Sequence, residues 1–247
     1  MDRIITNEIF GIKVANVSYN ELLKYIKDTI DSNKRRIITY VTANSLNIIY
    51  KNYEVKEIFD KFNIIHPDGI GTFLAIRFLY GIKNIENKIT GSDFYPILIR
   101  AAIRYKWRLF FWGDEKDVLE RIQNQYEGME ICGYYEGYNI ISSKIIQNIN
   151  MSKADILIVG MGCPLQESWI IKVKDKLNVK VILAVGDGIK IFANVRNRGT
   201  KLFRNIGLEW AFRLLSEPRR LWKRYIIGIP LFILRIIKLY LRRGKDT

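Results

Sequence analysis

The chain has 247 residues, 49% hydrophobic and 26% charged, a globular composition that excludes disorder as a description of the whole. Lys and Arg number 40 against 25 Asp and Glu, and the resulting +15 favours an anionic partner: phosphate, nucleic acid or lipid headgroups. Two cysteines, Cys132 and Cys163, and a single histidine, His66, exclude a disulfide framework and a Cys/His zinc site, and fit a reducing, cytoplasmic compartment.

The opening MDRIITNEIFGIKV lacks the basic and then long apolar regions of a secretory signal. From Asn16 to Val185, short β-rich runs alternate with amphipathic helical patterns, which predicts a doubly wound α/β domain on a mostly parallel sheet. Ser18 followed by Glu21 forms a capping box, and Leu22, Leu23, Ile26 and Ile30 give the helix after it one apolar face. Strands are expected at Arg36 to Val41, Phe62 to His66, Arg108 to Trp112, Glu130 to Tyr134, Asp155 to Val159 and Lys180 to Val185. In such a sheet ligands bind outside the carboxyl ends of the strands. The loops Thr42-Ala-Asn44, Pro67-Asp-Gly69, Gly113-Asp114, Gly160-Met-Gly162 and Gly186-Asp-Gly188 should therefore share one rim.

After Asn194 the strand pattern stops and helical segments follow near 205–216, 218–228 and 230–243. The expected division is an α/β core over 1–195 and a basic helical appendage over 196–247, which carries 14 Lys or Arg against 3 acids. Its most apolar stretch, Tyr225 to Leu234, falls well short of the roughly 20 residues that cross a bilayer, so any membrane role is peripheral. On the last helix Arg235, Lys238 and Arg242 fall on one face and Ile233, Ile236, Ile237, Tyr240 and Leu241 on the other, the pattern of an interfacial amphipathic helix.

Three segments carry chemistry. In HPDGIG, Asp68 sits in a tight turn between strand and helix; it either accepts a proton from a substrate hydroxyl or simply caps the helix. NKITGSDFYP joins the cation of Lys88 to a glycine turn at Gly91 and a Ser92 cap, a cradle for an oxyanion. In GMGCPLQESW, Gly160 and Gly162 let the backbone approach a ligand, and Gln166 offers an amide to sugar or ribose hydroxyls. Neither GxGxxG after the early strands nor GxxxxGK[ST] occurs. A D-x-D pair is missing too, so a bound diphosphate would be neutralised by Lys and Arg, with no metal or other cofactor called for.

These motifs in this order resemble the WecG/TagA/CpsF glycosyltransferases, glycosyltransferase family 26. The matching pieces are IFGIKV, TAN at Thr42 to Asn44, PDG at Pro67 to Gly69, TGSD at Thr90 to Asp93, GYY at Gly133 to Tyr135, GCPLQE at Gly162 to Glu167, and GLEWAFRLLSEPRR from Gly207. The resemblance implies a Rossmann-like fold of the GT-E type. It also implies a membrane-associated, metal-independent, inverting enzyme that moves a sugar from a UDP-sugar to undecaprenyl-diphosphate-linked N-acetylglucosamine. In the best-known members the sugar is N-acetylmannosamine or its uronic acid.

By the same resemblance Asp68 is the base. Thr42, Asn44 and Gln166 take part in catalysis or sugar binding, and Arg213, Arg220 and Arg224 reach the active site from the appendage. Lys88 stands where many relatives have arginine, which keeps the charge but loses the bidentate fork. GDGIKIF and RNRGT also depart from the family pattern, which leaves the donor sugar open. Gly69 shares the PDG turn, and Asp187 is expected near the nucleoside.

The expected partners are the UDP-sugar, the polyprenyl-linked acceptor and the anionic membrane surface at the cytoplasmic face, with no nucleic acid and with self-association left open. Two other classes compete. A nucleotide-binding oxidoreductase lacks its glycine fingerprint here, and a non-catalytic membrane adaptor leaves the polar rim loops unexplained.

Overall fold

Residues 4–81, 89–137, 142–195 and 209–243 are described by the computed structural model. The first two strands, β1 (Thr6–Ile9) and β2 (Ile12–Ala15), form an antiparallel hairpin that the strand reading from Asn16 onward omits. Phe10 and Gly11 between them have φ of 53° and 79°, the doubly positive backbone of a two-residue turn matched to strand twist.

The six parallel strands that follow are β3 (Arg36–Val41), β4 (Ile64–Pro67), β5 (Leu109–Gly113), β6 (Ile131–Tyr135), β7 (Ile156–Gly160) and β8 (Val181–Ala184). Each lies within two residues of its expected position, and their spatial order is β4-β3-β8-β7-β5-β6. Alternation along the strands divides the core in two. Ile38, Leu109, Phe111, Ile156 and Ile158 pack with α1 (Tyr19–Asp31), then across the same face with helices α5 and α6 described below. Ile37, Val41, Phe110, Trp112, Leu157 and Val159 pack on the opposite face with α2 (Ala43–Lys51) and α3 (Tyr53–Asp60).

The remaining core helices are α4 (Gly69–Tyr80), α5 (Gly91–Tyr105), α6 (Lys116–Gln125), α7 (Ser142–Ser152), α8 (Leu165–Val173) and the short α9 (Ile189–Phe192). The Ser18 capping box starts α1 as expected: Ser18 Oγ accepts from Glu21 N–H at 3.2 Å, and Glu21 Oε2 from Ser18 N–H at 2.7 Å. From β3 the chain turns onto the α2 face, and from the adjacent β8 onto the α9 face. Neighbouring strands whose connections leave in opposite directions open a crevice at their carboxyl ends, and this one lies between β3 and β8.

The C-terminal region runs as α10 (Glu209–Ser216), α11 (Pro218–Trp222), one π-helical turn (Lys223–Ile227) and α12 (Gly228–Arg243). Within the π turn Gly228 N–H donates to Lys223 O, five residues back. Pro230 has no N–H to offer and its ring crowds the carbonyl four residues earlier, so the wider turn relieves a conflict that a continuous α-helix would keep.

The structure corrects the outward cationic face expected of α12. Arg235 is buried against α2, donating to Asn47 O at 3.0 Å and to Asn47 Oδ1 at 2.6 Å, with its guanidinium 4.3 Å from the Tyr50 ring centroid. Asn47 Nδ2 in turn donates to Gly228 O at 2.7 Å. Phe232 and Ile236 are buried beside Arg235, whereas Ile233, Leu234, Ile237, Tyr240 and Leu241 remain exposed. A cation taken from water needs acceptors, and Asn47 supplies two. Asn47→Ala should therefore lower stability by about 2–4 kcal/mol, read as a reduced urea midpoint with unchanged slope.

Candidate active site

The crevice between β3 and β8 widens into a polar cavity of 600 Å³. Its wall takes Thr42 and Asn44 from the β3 loop, Asp68 from β4, Gly160 and Gly162 from β7, and Asp187 from β8. Gly91, Ser92 and Tyr95 close one side from α5, and Arg220 and Arg224 overhang it from the C-terminal helices. The expectation that the strand-end loops share one rim therefore holds for these five loops, Asp114 after β5 included.

Asp68 occupies the cap position of α4 but makes no side-chain cap hydrogen bond there. Its Oδ1 instead accepts from Gly91 N–H at 2.8 Å, the first turn of α5. The two open readings of this residue separate at that contact: the carboxylate leaves its own helix uncapped and is held by the amide of another, whose N-terminal dipole favours an anion. Gly69 permits the geometry, since its φ of 82° turns the chain sharply after Asp68.

Thr42 caps α2, accepting from Ser45 N–H at 3.2 Å, while Ser45 Oγ accepts from Thr42 N–H at 2.7 Å. Its side chain is thus fixed where the cavity meets the helix start. His66 lies fully inside the sheet, where burial depresses its basicity, and its Nδ1 is 3.0 Å from Pro67 O.

Gln166 does not line the cavity. It is fully buried, its Oε1 accepts from Gly162 N–H at 3.2 Å and Gly186 N–H at 2.9 Å, and its Nε2 donates to Glu167 Oε1 at 2.8 Å. Thr39 Oγ1 donates to the same Glu167 oxygen at 2.9 Å. Burial raises the pKa of Glu167 despite these donors. The amide expected to meet sugar hydroxyls is thus committed to the backbone of the β7 and β8 loops.

Asp187 lines the cavity, with Oδ1 3.7 Å from Arg220 Nη2 and 3.9 Å from Lys190 Nζ. Lys190 is also 3.9 Å from Asp114 Oδ2, and Glu217 pairs with Arg220 at 2.5 Å. The two 3.9 Å contacts of Lys190 lie beyond hydrogen-bonding length and leave it able to move toward an anion. Lys88 and the side chain of Arg213 fall outside the described residues.

A second space, an apolar groove of 750 Å³, runs between α4 and the π turn with α12. Leu74 and Phe78 face it from one side, and Ile226, Ile233 and Ile237 from the other. It ends on Thr42, Asn44, Asp68, Ser92 and Arg224, the same residues that border the polar cavity. A polar chamber and an apolar channel therefore meet at one carboxylate.

The match to the model of the "Glycosyl transferase WecG/TagA/CpsF family" extends over residues 7–246. The chain belongs to this glycosyltransferase family. Among its relatives, the N-acetylglucosaminyldiphosphoundecaprenol N-acetyl-beta-D-mannosaminyltransferase of Bacillus spizizenii is 29% identical over 94% of this chain and 91% of that protein. The protein of the same name from Bacillus subtilis is 27% identical over the same shares, and that of a Staphylococcus aureus strain 24% over 94% and 92%.

In this WecG/TagA/CpsF glycosyltransferase several cavity residues stand at positions to which the sequence motifs assign no role. Tyr40, Tyr95 and Lys190 reach the wall through strand parity, helix packing and an i, i+3 step from Asp187, relations visible only once the sheet order is known. Gln166→Met should lower turnover about tenfold or more although it touches no substrate, because two loop amides lose their acceptor. Steady-state kinetics alongside a thermal melt check this, and an unchanged rate would detach the loops from catalysis.

Proposed function

We propose that the protein transfers N-acetylmannosamine or a closely related sugar from a UDP-sugar to N-acetylglucosamine carried on undecaprenyl diphosphate. The observation that carries this reading is the meeting of the polar cavity and the apolar groove at Asp68. A charged nucleotide sugar and a prenyl chain need opposite surroundings, and only at their junction can the two reacting atoms approach. Four strand steps of about 4.8 Å separate the Asp68 loop after β4 from Asp114 after β5, a rim of about 19 Å that suits an extended nucleotide sugar. The relatives from both Bacillus species are named for the same pair of sugars.

In this reading one oxygen of Asp68 stays with the Gly91 amide, and the other takes the proton of the acceptor hydroxyl. That hydroxyl attacks the anomeric carbon while UDP departs from the opposite face, so one displacement inverts the centre. Thr42 and Asn44 orient the sugars, Gln166 acts through the loops it holds, and the lack of side chains at Gly160 and Gly162 lets the nucleotide approach their backbone. Asp187 lies toward the nucleoside, and Arg220 and Arg224, with Lys88 and Arg213, offset charge growing on the diphosphate. No metal or other cofactor enters this scheme.

We further read 1–195 as the catalytic core and 196–247 as an appendage that completes the site and docks on the cytoplasmic face of an anionic membrane. No described helix is long and apolar enough to cross a membrane. The exposed Ile226, Ile227, Ile233, Leu234 and Leu241 with the nearby basic residues support a peripheral contact.

Two measurements test the reading. Asp68→Asn should reduce turnover by roughly 10²-fold or more with UDP binding nearly intact, and a folded variant with normal turnover would remove the base. Ile233→Asp with Ile237→Asp should raise KM for a long-chain prenyl acceptor by about tenfold or more while sparing a short water-soluble analogue. Equal effects on both acceptors would mean that the groove does not hold the lipid.

A further inference from the structure

We propose that the hydroxyl of Tyr40 is a catalytic hydrogen-bond donor to the β-phosphate of the nucleotide leaving group. The proposal rests on the donor reading above and adds a residue to it.

Tyr40 is the penultimate residue of β3, in parallel register with His66 of β4. The two side chains lie on the same face, with ring centroids 6.1 Å apart, so the buried imidazole buttresses the phenol. The tip of the ring reaches the floor of the polar cavity. A Cβ on Gly186 would lie 2.4 Å from the Tyr40 hydroxyl oxygen, and Gly186 has a φ of 52°. The β8 loop therefore has no side chain at the point where the phenol needs room. Gln166 fixes that floor through the amides of Gly162 and Gly186.

Among the described residues no hydrogen bond reaches the Tyr40 hydroxyl, and what acts on it is burial and charge. Burial, Glu167, Asp68 and Cys163 raise its pKa, and Arg224 opposes them. The phenol thus stays protonated at neutral pH. It can give a hydrogen bond but cannot act as the base.

Position along the rim decides what receives that bond. Asp68, at the end of β4, marks the acceptor hydroxyl, and the leaving group departs on the side away from it. The next strand from β4 is β3, followed by β8, so the first leaving-group atoms lie over Tyr40 and Gly186 and under Arg224. As the bond to the anomeric carbon breaks, the β-phosphate gains negative charge, and a fixed neutral donor there stabilises the transition state without disturbing the Asp68 carboxylate as a second cation would.

The test uses the full chain as wild type and Tyr40→Phe, titrated with UDP and with UMP and assayed for turnover in the presence of the prenyl-linked acceptor. The expected result is an unchanged thermal midpoint, UDP affinity reduced about tenfold, UMP affinity unchanged, and kcat reduced about tenfold to a hundredfold. Equal UDP affinity in both proteins overturns the role of Tyr40 while leaving the donor reading in place. Equal losses for UDP and UMP, or a lowered thermal midpoint that accounts for the loss, assign the hydroxyl a structural role and overturn the proposal too. A loss seen for the UDP-sugar but not for UDP places the contact on the sugar and overturns it likewise. A wild-type chain that binds no UDP overturns the donor reading and this proposal with it.

Discussion

Asn47 and Arg235 hold the last helix to α2, and the placing of the C-terminal helices over the site depends on that contact. The guanidinium is shielded from water by α2 and α12 and takes two of its acceptors from a single asparagine, whose amide then reaches across to the Gly228 carbonyl. A neutral partner sets geometry by hydrogen bonds alone, so the pair fixes direction as well as distance. This contact seats α12 on α2, beside the groove that α12 forms with α4, and anchors at Gly228 the π turn whose Arg224 borders both spaces.

The core of the site rests on a second constraint, the crossing of the chain at β3 and β8. Most wall residues come from the first few positions after a strand, where the backbone is held on one side by the sheet and on the other by a helix start. Thr42 caps α2, Asp68 leans on the first amide of α5, and Gln166 carries two glycine amides. Groups locked in this way need little reorganisation when charge moves, which is how such a rim can act electrostatically.

Much of this was legible in the sequence, and the limits have physical causes. The strands of the sheet were readable because each is a short β-branched or aromatic run with a glycine or polar turn after it. The β1–β2 hairpin was not, since Thr6–Ile9 carries one apolar residue, at its end, and so offers no β-rich run to read. Asp68 was readable as a rim carboxylate, but that its side chain leaves α4 uncapped depends on Gly91, 23 residues away in sequence. Arg235 was misread because a helical wheel assigns cations outward by default, and only the facing Asn47 makes an inward one tolerable. Gln166 looked like a ligand-facing amide because GCPLQE is a loop motif, yet its position as the second residue of α8 directs it beneath the loop. Tyr40 carried no signal beyond its place in a strand.

The single π turn also sets a phase. Leu221 and Phe232 are both buried, and eleven residues of uninterrupted α-helix, close to three turns, would bring them onto one side of the rod. One extra residue in the wider turn shifts everything after it by about 100°, so α11 and α12 present different sides to the core. The helix therefore works as a cranked shaft: the part before the crank holds Arg220 and the crank itself Arg224 over the polar chamber, and the part after it lies along α2 and α4. Removing one residue from Lys223–Ile227 would restore a straight rod whose two ends could not both be seated.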